Sequence, residues 1–332
     1  MTGRSPWRFG PAAAALLGGC GDNQSVLNPK GPEALQLAHL SWLLFAFGTV
    51  VLLLVVLAIA VAIRGPHPMR AWLASARTVV WAGIVFPAVT LTALLGYGVW
   101  LTRASTAIPS GDGALRIEVV GEQWWWRISY PQPGGGGPPV ATANEIRIPT
   151  GRPVLFTLQS ADVIHSFWVP NLGGKMDMIP GRTTHLRLQA DNAGVFRGQC
   201  AEYCGGPHAL MALEVVAMPP AEFEAWLQGQ ARPAAEPASG AAQRGREVFL
   251  AAGCGACHTV RGTAAAGTVG PDLTHLGSRR SVGIDTAALT QANIARFIRD
   301  GQHIKPGNLM PPFRIFTPAD LDAVAGYLAG SR

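Results

Sequence analysis

Charged side chains are scarce in this 332-residue chain. Asp, Glu, Lys and Arg together make up 14% of it, against roughly 25% in an average soluble domain, and apolar residues reach 48%. This balance favours membrane-spanning segments over an ordinary soluble protein. The formal net charge is +6, but the basic residues form no stripe and many of them flank apolar runs. No nucleic-acid binding is therefore expected.

Cysteine is also scarce, with only five positions. One is a lone Cys20, and the others form two close pairs, Cys200/Cys204 and Cys254/Cys257. Such a distribution excludes a disulfide framework of the kind that holds small secreted domains together. Each pair lies close to a histidine, which is more typical of a metal or cofactor site than of a disulfide bridge.

Acidic residues are absent from Arg64 to Leu101. Within residues 35–101, two apolar runs at 37–63 and 79–101 are each long enough to span a bilayer as a helix. The loop between them is basic, which places it in the cytoplasm and the rest of the chain outside. We therefore predict a two-helix hairpin in a bacterial plasma membrane, kinked at Pro87. The basic residues of the loop are Arg64, Arg70 and Arg77.

Residues 1–20 have a basic start, a short apolar core and small residues at the end, as in a secretory signal segment. The cysteine that closes this segment resembles the acylated cysteine of bacterial lipoproteins. We therefore expect a lipid anchor on Cys20. The alternative is an ordinary signal segment in which Cys20 has no role.

The remaining chain divides by its hydrophobic period. Residues 110–228 contain short alternating segments between Pro/Gly turns, which predict an antiparallel β-sandwich or barrel. Residues 229–241 are rich in Ala, Pro, Gly and Gln and are predicted to be a flexible linker. Residues 242–332 return to a helical period and predict a small all-α domain.

Residues 200–211 concentrate soft and borderline metal donors. Two thiols, an imidazole and a thioether suit copper far better than magnesium or calcium. Thiolates separated by three intervening residues can face one point and bridge two metal ions. A second histidine is needed for such a site, and His165 and His185 are the candidates in the β-region. The four donors of the segment are Cys200, Cys204, His208 and Met211.

This segment resembles the binuclear copper loop of cytochrome c oxidase subunit II. Residues 162–170, 175–181 and 121–126 resemble further motifs of the same family, in the same order. With the membrane hairpin, the resemblance covers residues 35–228. It implies a cupredoxin-like β-barrel and an assembly with oxidase subunit I and other oxidase subunits.

The resemblance also implies roles for individual residues. Glu202 is expected to bind copper through its backbone carbonyl and to reach a magnesium ion at the boundary with subunit I through its carboxylate. Trp124 matches the aromatic residue through which family members accept electrons. His185 is expected on a strand surface, and a Cys200–Cys204 disulfide is the alternative to copper. The implied side-chain ligands are His165, Cys200, Cys204, His208 and Met211.

One departure from the family concerns proton entry. Family members often carry a glutamate near the cytoplasmic start of the second membrane helix, and no acid occurs here between residues 64 and 101. That role is either absent or belongs to another subunit.

Cys254, Cys257 and His258 form the C-x-x-C-H attachment motif of c-type haem. The two thiols form thioethers with the haem, and the histidine is the proximal iron ligand. The alternatives, a redox dithiol or a zinc site, lack a β-α-β setting and a second cysteine pair respectively.

Met310 is the only methionine after His258, so we expect it to be the sixth iron ligand. A methionine ligand raises the haem potential, which suits a respiratory carrier. The rivals His275 and His303 are expected at the surface, and the Pro271 carbonyl is expected to orient His258. The segments around Pro271 and Met310 resemble the small cytochromes c fused to subunit II in caa3-type haem–copper oxidases.

These features predict an electron-entry subunit of a respiratory oxidase. An external cytochrome c is the expected donor, one covalent haem c and a two-copper centre (CuA) are the expected carriers, and subunit I is expected to reduce oxygen and translocate protons. A nitrous-oxide-reductase copper domain would need a large catalytic domain for which no residues remain. A quinol-oxidase subunit lacks the copper ligands. A membrane-tethered copper and haem carrier outside any oxidase is the remaining alternative.

Overall fold

The computed structural model describes residues 24–106, 114–132, 135–283 and 287–332. The signal segment and the expected lipid anchor on Cys20 lie outside the described residues. Within them the chain forms a helical N-terminal region, a β-domain (residues 114–218) and a C-terminal domain (residues 240–332).

Two N-terminal helical regions are long and apolar enough to cross a membrane, Pro32–Arg64 and Ala76–Arg103. Each region contains one of the two apolar runs predicted from sequence. Leucines in the first region, such as Leu53, leave about 62% of their surface exposed, as expected where lipid rather than protein is the neighbour. The helices are α1 Pro32–Arg64, α2 His67–Leu73, α3 Ala76–Val80 and α4 Phe86–Thr106, with a π-helical turn at Trp81–Val85.

The π-helical turn lies directly before Pro87. Proline donates no backbone hydrogen bond and its ring displaces the carbonyl four residues earlier, here that of Gly83. A widened turn relieves this clash. The irregularity expected at Pro87 is therefore present as a change of helical type just before the proline.

The β-domain consists of two five-stranded sheets with orders β3-β2-β1-β5-β8 and β4-β10-β9-β6-β7. Apolar side chains from both sheets form one core that includes Trp126, Phe156 and Phe167. This is the expected cupredoxin-like fold. The strands are β1 Leu115–Glu122, β2 Trp125–Tyr130, β3 Val140–Ala143, β4 Glu145–Pro149, β5 Val154–Ser160, β6 His165–Trp168, β7 Met176–Met178, β8 Thr184–Leu188, β9 Gly194–Cys200 and β10 Ala212–Met218.

The expectation of a purely antiparallel sandwich is wrong. Strand β1 pairs with β5 in parallel, and so does β4 with β10. Alternation of apolar and polar residues reveals which face of a strand is buried, but it carries no information on the direction of the neighbouring strand.

The C-terminal domain is built from helices α6 Gly240–Ala251, α7 Gln291–Asp300 and α8 Pro318–Gly330. Its core lies between these helices and includes Phe249, Ile294 and Leu328. Thr317 caps α8 by accepting a hydrogen bond from the Asp320 N–H at 3.1 Å, as its sequence position predicts. The all-α expectation omitted one short antiparallel pair, β11 Ser281–Val282 with β12 Ala287–Ala288.

The segment between the two domains packs on the C-terminal domain. It follows helix α5 (Pro220–Gln230). The Ala234 N–H donates to the Arg261 carbonyl at 2.9 Å, and the Arg232 carbonyl accepts from His275 Nε2 at 3.0 Å. These contacts differ from the freely moving tether expected from composition.

Candidate copper and haem sites

The first site lies where strands β6 and β9 meet the connection to β10. His165 begins β6 and Cys200 ends β9, and Phe167 is the register partner of Cys200. The connection, residues 201–211, is called the copper loop below. Its ends are fixed because the Cys200 N–H donates to the Met211 carbonyl at 2.8 Å.

The copper loop and β6 bring the predicted donors together around the two thiols. His165, Cys200 and Cys204 offer donor atoms that all lie within 4.8 Å of one another. Cys200 Sγ lies 3.8 Å from His165 Nδ1 and 3.1 Å from the Glu202 carbonyl. Cys204 Sγ lies 3.4 Å from His208 Nδ1 and 3.7 Å from Met211 Sδ. Each thiol therefore has its own two partners.

Asp162 orients the histidine on β6. The Nε2–H of His165 donates to Asp162 Oδ1 at 2.8 Å, so the lone pair of Nδ1 points towards Cys200. A carboxylate on the outer nitrogen of a metal-binding imidazole sets both its tautomer and its orientation. His165 is fully buried, and Cys200, Cys204 and Met211 are nearly so.

The two thiols differ in acidity. A hydrogen bond with Cys204 lowers the pKa of Cys200 to about 4, because the bond stabilises the thiolate. Burial opposes this effect without overcoming it. The lowered pKa of Cys200 favours the thiolate, which is the form that binds metal.

Glu202 faces in two directions. Its backbone carbonyl points at Cys200, whereas its carboxylate is exposed and lies 3.9 Å from Lys175 Nζ. Carbonyl and carboxylate can therefore serve different cations, as the resemblance implies.

Trp124 packs directly on the copper loop. Its indole N–H donates to the Cys204 carbonyl at 3.0 Å, and the Gln123 side chain donates to the same carbonyl at 2.8 Å. A Cβ on Gly206 would lie 2.7 Å from the Trp124 ring, so only glycine allows this contact. The ring is joined to the backbone of a predicted copper ligand by one hydrogen bond.

The other candidates of the β-domain lie outside the donor set. Trp126 is buried in the core against Phe167, with ring centroids 5.7 Å apart. Met178 is fully buried in the same core. His185 is half-buried on β8 opposite Thr157, which removes it as a ligand on geometric grounds.

These residues fit a copper centre. The donor set combines two thiols, two imidazole Nδ1 atoms, a thioether and a carbonyl, which is a soft set suited to copper. The thiols are free, and no disulfide joins the four cysteines within the described part of the chain. Magnesium and calcium would require oxygen donors in their place.

The second site is a cavity of about 410 Å³ in the C-terminal domain, open towards the β-domain. Cys254, Cys257 and His258 line it, with Met310 among the other lining residues. The His258 Nδ1–H donates to the Pro271 carbonyl at 2.8 Å, which is the expected contact, and leaves Nε2 for iron. Burial lowers the pKa of His258, which favours the neutral imidazole that binds metal.

The cavity fits a haem. Its thiols, imidazole and thioether are those of a c-type site, and apolar side chains of α6, α7 and α8 form one part of its wall. Gly270 leaves room for the His258 ring, since a Cβ there would lie 2.5 Å from Cε1. The apolar wall includes Phe249, Ile294, Phe297, Ile298, Val324 and Leu328.

The two rival histidines do not line this cavity. His303 is exposed, as expected, and lies 3.2 Å from Asp300. The expectation of a surface position for His275 is wrong, because only 5% of it is exposed. It is buried beneath the inter-domain segment, where Nε2 contacts the Arg232 carbonyl.

Some residues of both sites were not found by sequence reasoning. Trp125, Glu145 and Lys305 line the haem cavity, although the first two belong to the β-domain. Asp162 lies within a motif that the sequence reasoning did single out, but its contact with His165 was not expected. An aspartate three residues before a candidate ligand could have suggested it, whereas no sequence signal indicated Lys305.

Comparisons with known proteins identify the domains that carry the two sites. Residues 138–218 match the family described as cytochrome c oxidase subunit II, periplasmic domain, and residues 242–331 match the family described as cytochrome c. Cytochrome c oxidase subunit 2 of Alkalihalophilus pseudofirmus is 34% identical over 328 residues, which cover 94% of this chain and 93% of that relative.

Two further similarities cover part of the chain. Cytochrome c oxidase subunit 2 of Bacillus subtilis is 33% identical over 230 residues, which are 66% of this chain and 63% of that relative. The crystal structure of the periplasmic domain of subunit II of cytochrome oxidase from Bradyrhizobium japonicum is 31% identical. It covers 37% of this chain and 96% of that structure, with a TM-score of 0.34.

Proposed function

The chain belongs to the cytochrome c oxidase subunit 2 family, and we propose that it carries electrons from an external cytochrome c through haem c and copper to subunit I. It is a membrane-anchored subunit of an oxidoreductase, with periplasmic domains and a fused cytochrome c domain. Subunit I is the proposed place of oxygen reduction and proton translocation, and other oxidase subunits complete the assembly.

The observation that carries the proposal is the proximity of the two sites. Trp124 lines the haem cavity and also donates a hydrogen bond to the backbone of Cys204. One side chain thus connects both predicted centres. When bound, copper and haem would supply one-electron redox chemistry at these two neighbouring sites.

We assign two copper ions to the copper loop and β6. Cys200 and Cys204 would supply their thiolates, and the buried surroundings would keep water from these thiolates. The carbonyl of Glu202 is a further donor, and its exposed carboxylate is proposed to reach magnesium at the boundary with subunit I. The terminal side-chain donors are His165, His208 and Met211.

We assign one haem c to the C-terminal domain. Cys254 and Cys257 would attach it covalently, and His258 and Met310 would bind its iron. Pro271 holds the imidazole in its orientation. In addition, a lipid on Cys20 is proposed to anchor the N-terminus beside the two membrane helices.

The test uses the full chain, produced with haem-maturation factors, purified in detergent and supplied with copper. Optical spectra report low-spin haem c, and electron paramagnetic resonance reports mixed-valence binuclear copper. The wild type should show both. Cys204→Ser should lose the copper signal and keep the haem spectrum, because it removes one bridging thiolate.

His185→Ala is the matched control, because it removes a histidine of the same domain that lies outside the donor set. It should keep both signals. A wild type that binds haem alone, with Cys200 and Cys204 joined as a disulfide under the same conditions, would overturn the copper assignment. Oxygen consumption after assembly with subunit I separates an oxidase subunit from a free carrier.

A further inference from the structure

The C-terminal domain makes several polar contacts with the β-domain around the haem cavity, among them that of Arg127 with the Thr268 carbonyl at 2.7 Å, and two groups of these contacts bear on its position. The first group lies at strands β4 and β10. The Arg147 guanidinium donates to the Ser278 carbonyl at 2.8 Å, and the Arg280 N–H donates to Glu145 Oε2 at 2.8 Å. Arg280 Nε also lies 3.1 Å from Glu214. These contacts hold one side of the C-terminal domain.

The second group lies at the copper loop. The Lys305 ammonium, which belongs to the C-terminal domain, donates to the backbone carbonyl of Trp124. Two residues later, a Cβ on Gly307 would lie 3.1 Å from Pro207 of the copper loop. The segment that precedes Met310 therefore rests against the residues that surround Cys204.

Lys305 is unusual for a lysine. It is one of only three in the chain, and only 4% of its surface is exposed. Burial lowers its pKa to about 7, and within the described part of the chain no carboxylate forms an ion pair with it. Burying an ammonium against a single carbonyl is costly, and an apolar side chain would usually serve stability better at such a place.

The position of the ammonium indicates a role that could offset this energetic cost. Its acceptor is the carbonyl of the residue whose indole N–H reaches the Cys204 carbonyl at 3.0 Å. A short chain of two hydrogen bonds, through one tryptophan, therefore connects the C-terminal domain with the copper loop. Replacing Lys305 would therefore change how the haem cavity packs against Trp124.

We infer that Lys305 is a positioning residue, which seats the haem cavity of the C-terminal domain on the Trp124–Cys204 edge of the copper loop. This inference rests on the proposed function, because it concerns transfer between the two proposed centres. The contacts at β4 and β10 hold the C-terminal domain on the β-domain, whereas Lys305 fixes how closely the haem cavity packs against Trp124.

The experiment measures electron transfer within the purified full chain that holds both centres. The haem is reduced by a rapid one-electron photoreductant, and its reoxidation by copper is followed optically. Lys305→Met should slow this step several-fold, because the rate of electron transfer falls steeply as the distance between the two centres increases. The haem potential and the copper resonance signal should stay as in the wild type.

Lys305→Arg keeps a cationic donor at the same place and should recover most of the rate. Arg296→Met is the matched control, because it removes an exposed cation from α7 of the same domain, and its rate should equal that of the wild type. If Lys305→Met loses either spectrum, Lys305→Gln replaces it in the comparison.

A wild-type rate in a Lys305 variant that retains both centres would overturn the inference. A slowed rate shared by Arg296→Met would overturn it too, because the effect would then follow from charge alone. Failure of the proposed function looks different, since the wild type itself would then lack the copper or haem signal.

Discussion

At the scale of single residues, Asp162 joins the copper ligands to the loop that carries Trp124. Its Oδ1 accepts from His165 Nε2 at 2.8 Å, and its Oδ2 accepts from the Gln123 N–H at 2.6 Å. One carboxylate therefore orients an imidazole and fixes the backbone before the tryptophan. An amide at this position could accept only one of the two hydrogen bonds.

Asp162→Asn should consequently weaken copper binding by about 10–100-fold, the usual effect of removing the partner of a metal-binding histidine. Competition with a chelator of known affinity measures this change. Asp191→Asn removes an exposed carboxylate of the same domain and should leave the affinity as it is. Equal affinities in both variants would show that His165 needs no orienting partner.

Gly270 has a comparable role beside the haem ligand. A Cβ there would lie 2.5 Å from Cε1 and 2.8 Å from Nδ1 of His258. Gly270→Ala should therefore displace the ring, break its hydrogen bond with Pro271 and shift the haem potential. Redox titration measures the shift, and Gly240→Ala, with nothing within 4 Å, is the control. An unchanged potential with intact haem attachment would contradict this account.

The predicted donors could be read from sequence because most lie within a dozen residues of one another. Cysteines and a histidine spaced as in residues 254–258 can reach the same haem in almost any fold. Asp162 and Lys305 are different, because their partners Gln123 and Trp124 are 39 and 181 residues away in the chain. Such contacts depend on the tertiary fold, which the local pattern does not specify.

At the scale of elements, the segment between α7 and α8 carries Met310. Asp300, at the end of α7, accepts hydrogen bonds from Arg314 Nε at 3.2 Å and from the Gln302 N–H at 3.3 Å. These contacts connect the two sides of the segment around Met310. The hydrogen bond with Arg314 lowers the pKa of Asp300 below its ordinary value of 3.8.

A carboxylate whose pKa is lowered on folding stabilises the protein above its unfolded pKa, and the effect is lost as the pH falls through the folded value. Asp300→Asn should therefore lower the Tm of the C-terminal domain at pH 7. The Tm difference from the wild type should shrink below pH 3.8. Calorimetry across this range measures it, and a difference independent of pH would contradict the prediction.

Element types were more predictable than element pairing. The apolar runs, the cap at Thr317 and the alternating strands each depend on neighbouring residues, and all are present. The parallel pairing of β1 with β5 is determined by the path of the chain between them. The burial of His275 likewise depends on a contact with Arg232, 43 residues away.

At the scale of the whole molecule, the membrane hairpin is joined to the β-domain by a buried ion pair. Glu33 begins α1, and its carboxylate accepts from Arg187 Nε on β8 at 2.9 Å. The preceding chain also packs there, since the Lys30 N–H donates to the Asn171 carbonyl at 2.7 Å. These contacts hold the β-domain, which carries the proposed copper site, against the start of the first apolar helix, while the C-terminal domain is held by contacts of its own.

Arg187→Met should leave the Glu33 carboxylate buried without its cation. Since breaking a buried pair is costly but Arg187 is partly exposed, we expect the β-domain to lose about 2 kcal/mol of unfolding free energy, measured in detergent by denaturant titration. Adding Glu33→Gln should restore part of this loss, because the unpaired charge is then gone. Arg182→Met, which removes an exposed cation, should have no effect. Equal stabilities of the Arg187 and Arg182 variants would mean that the hairpin and the β-domain are joined by the backbone contacts alone.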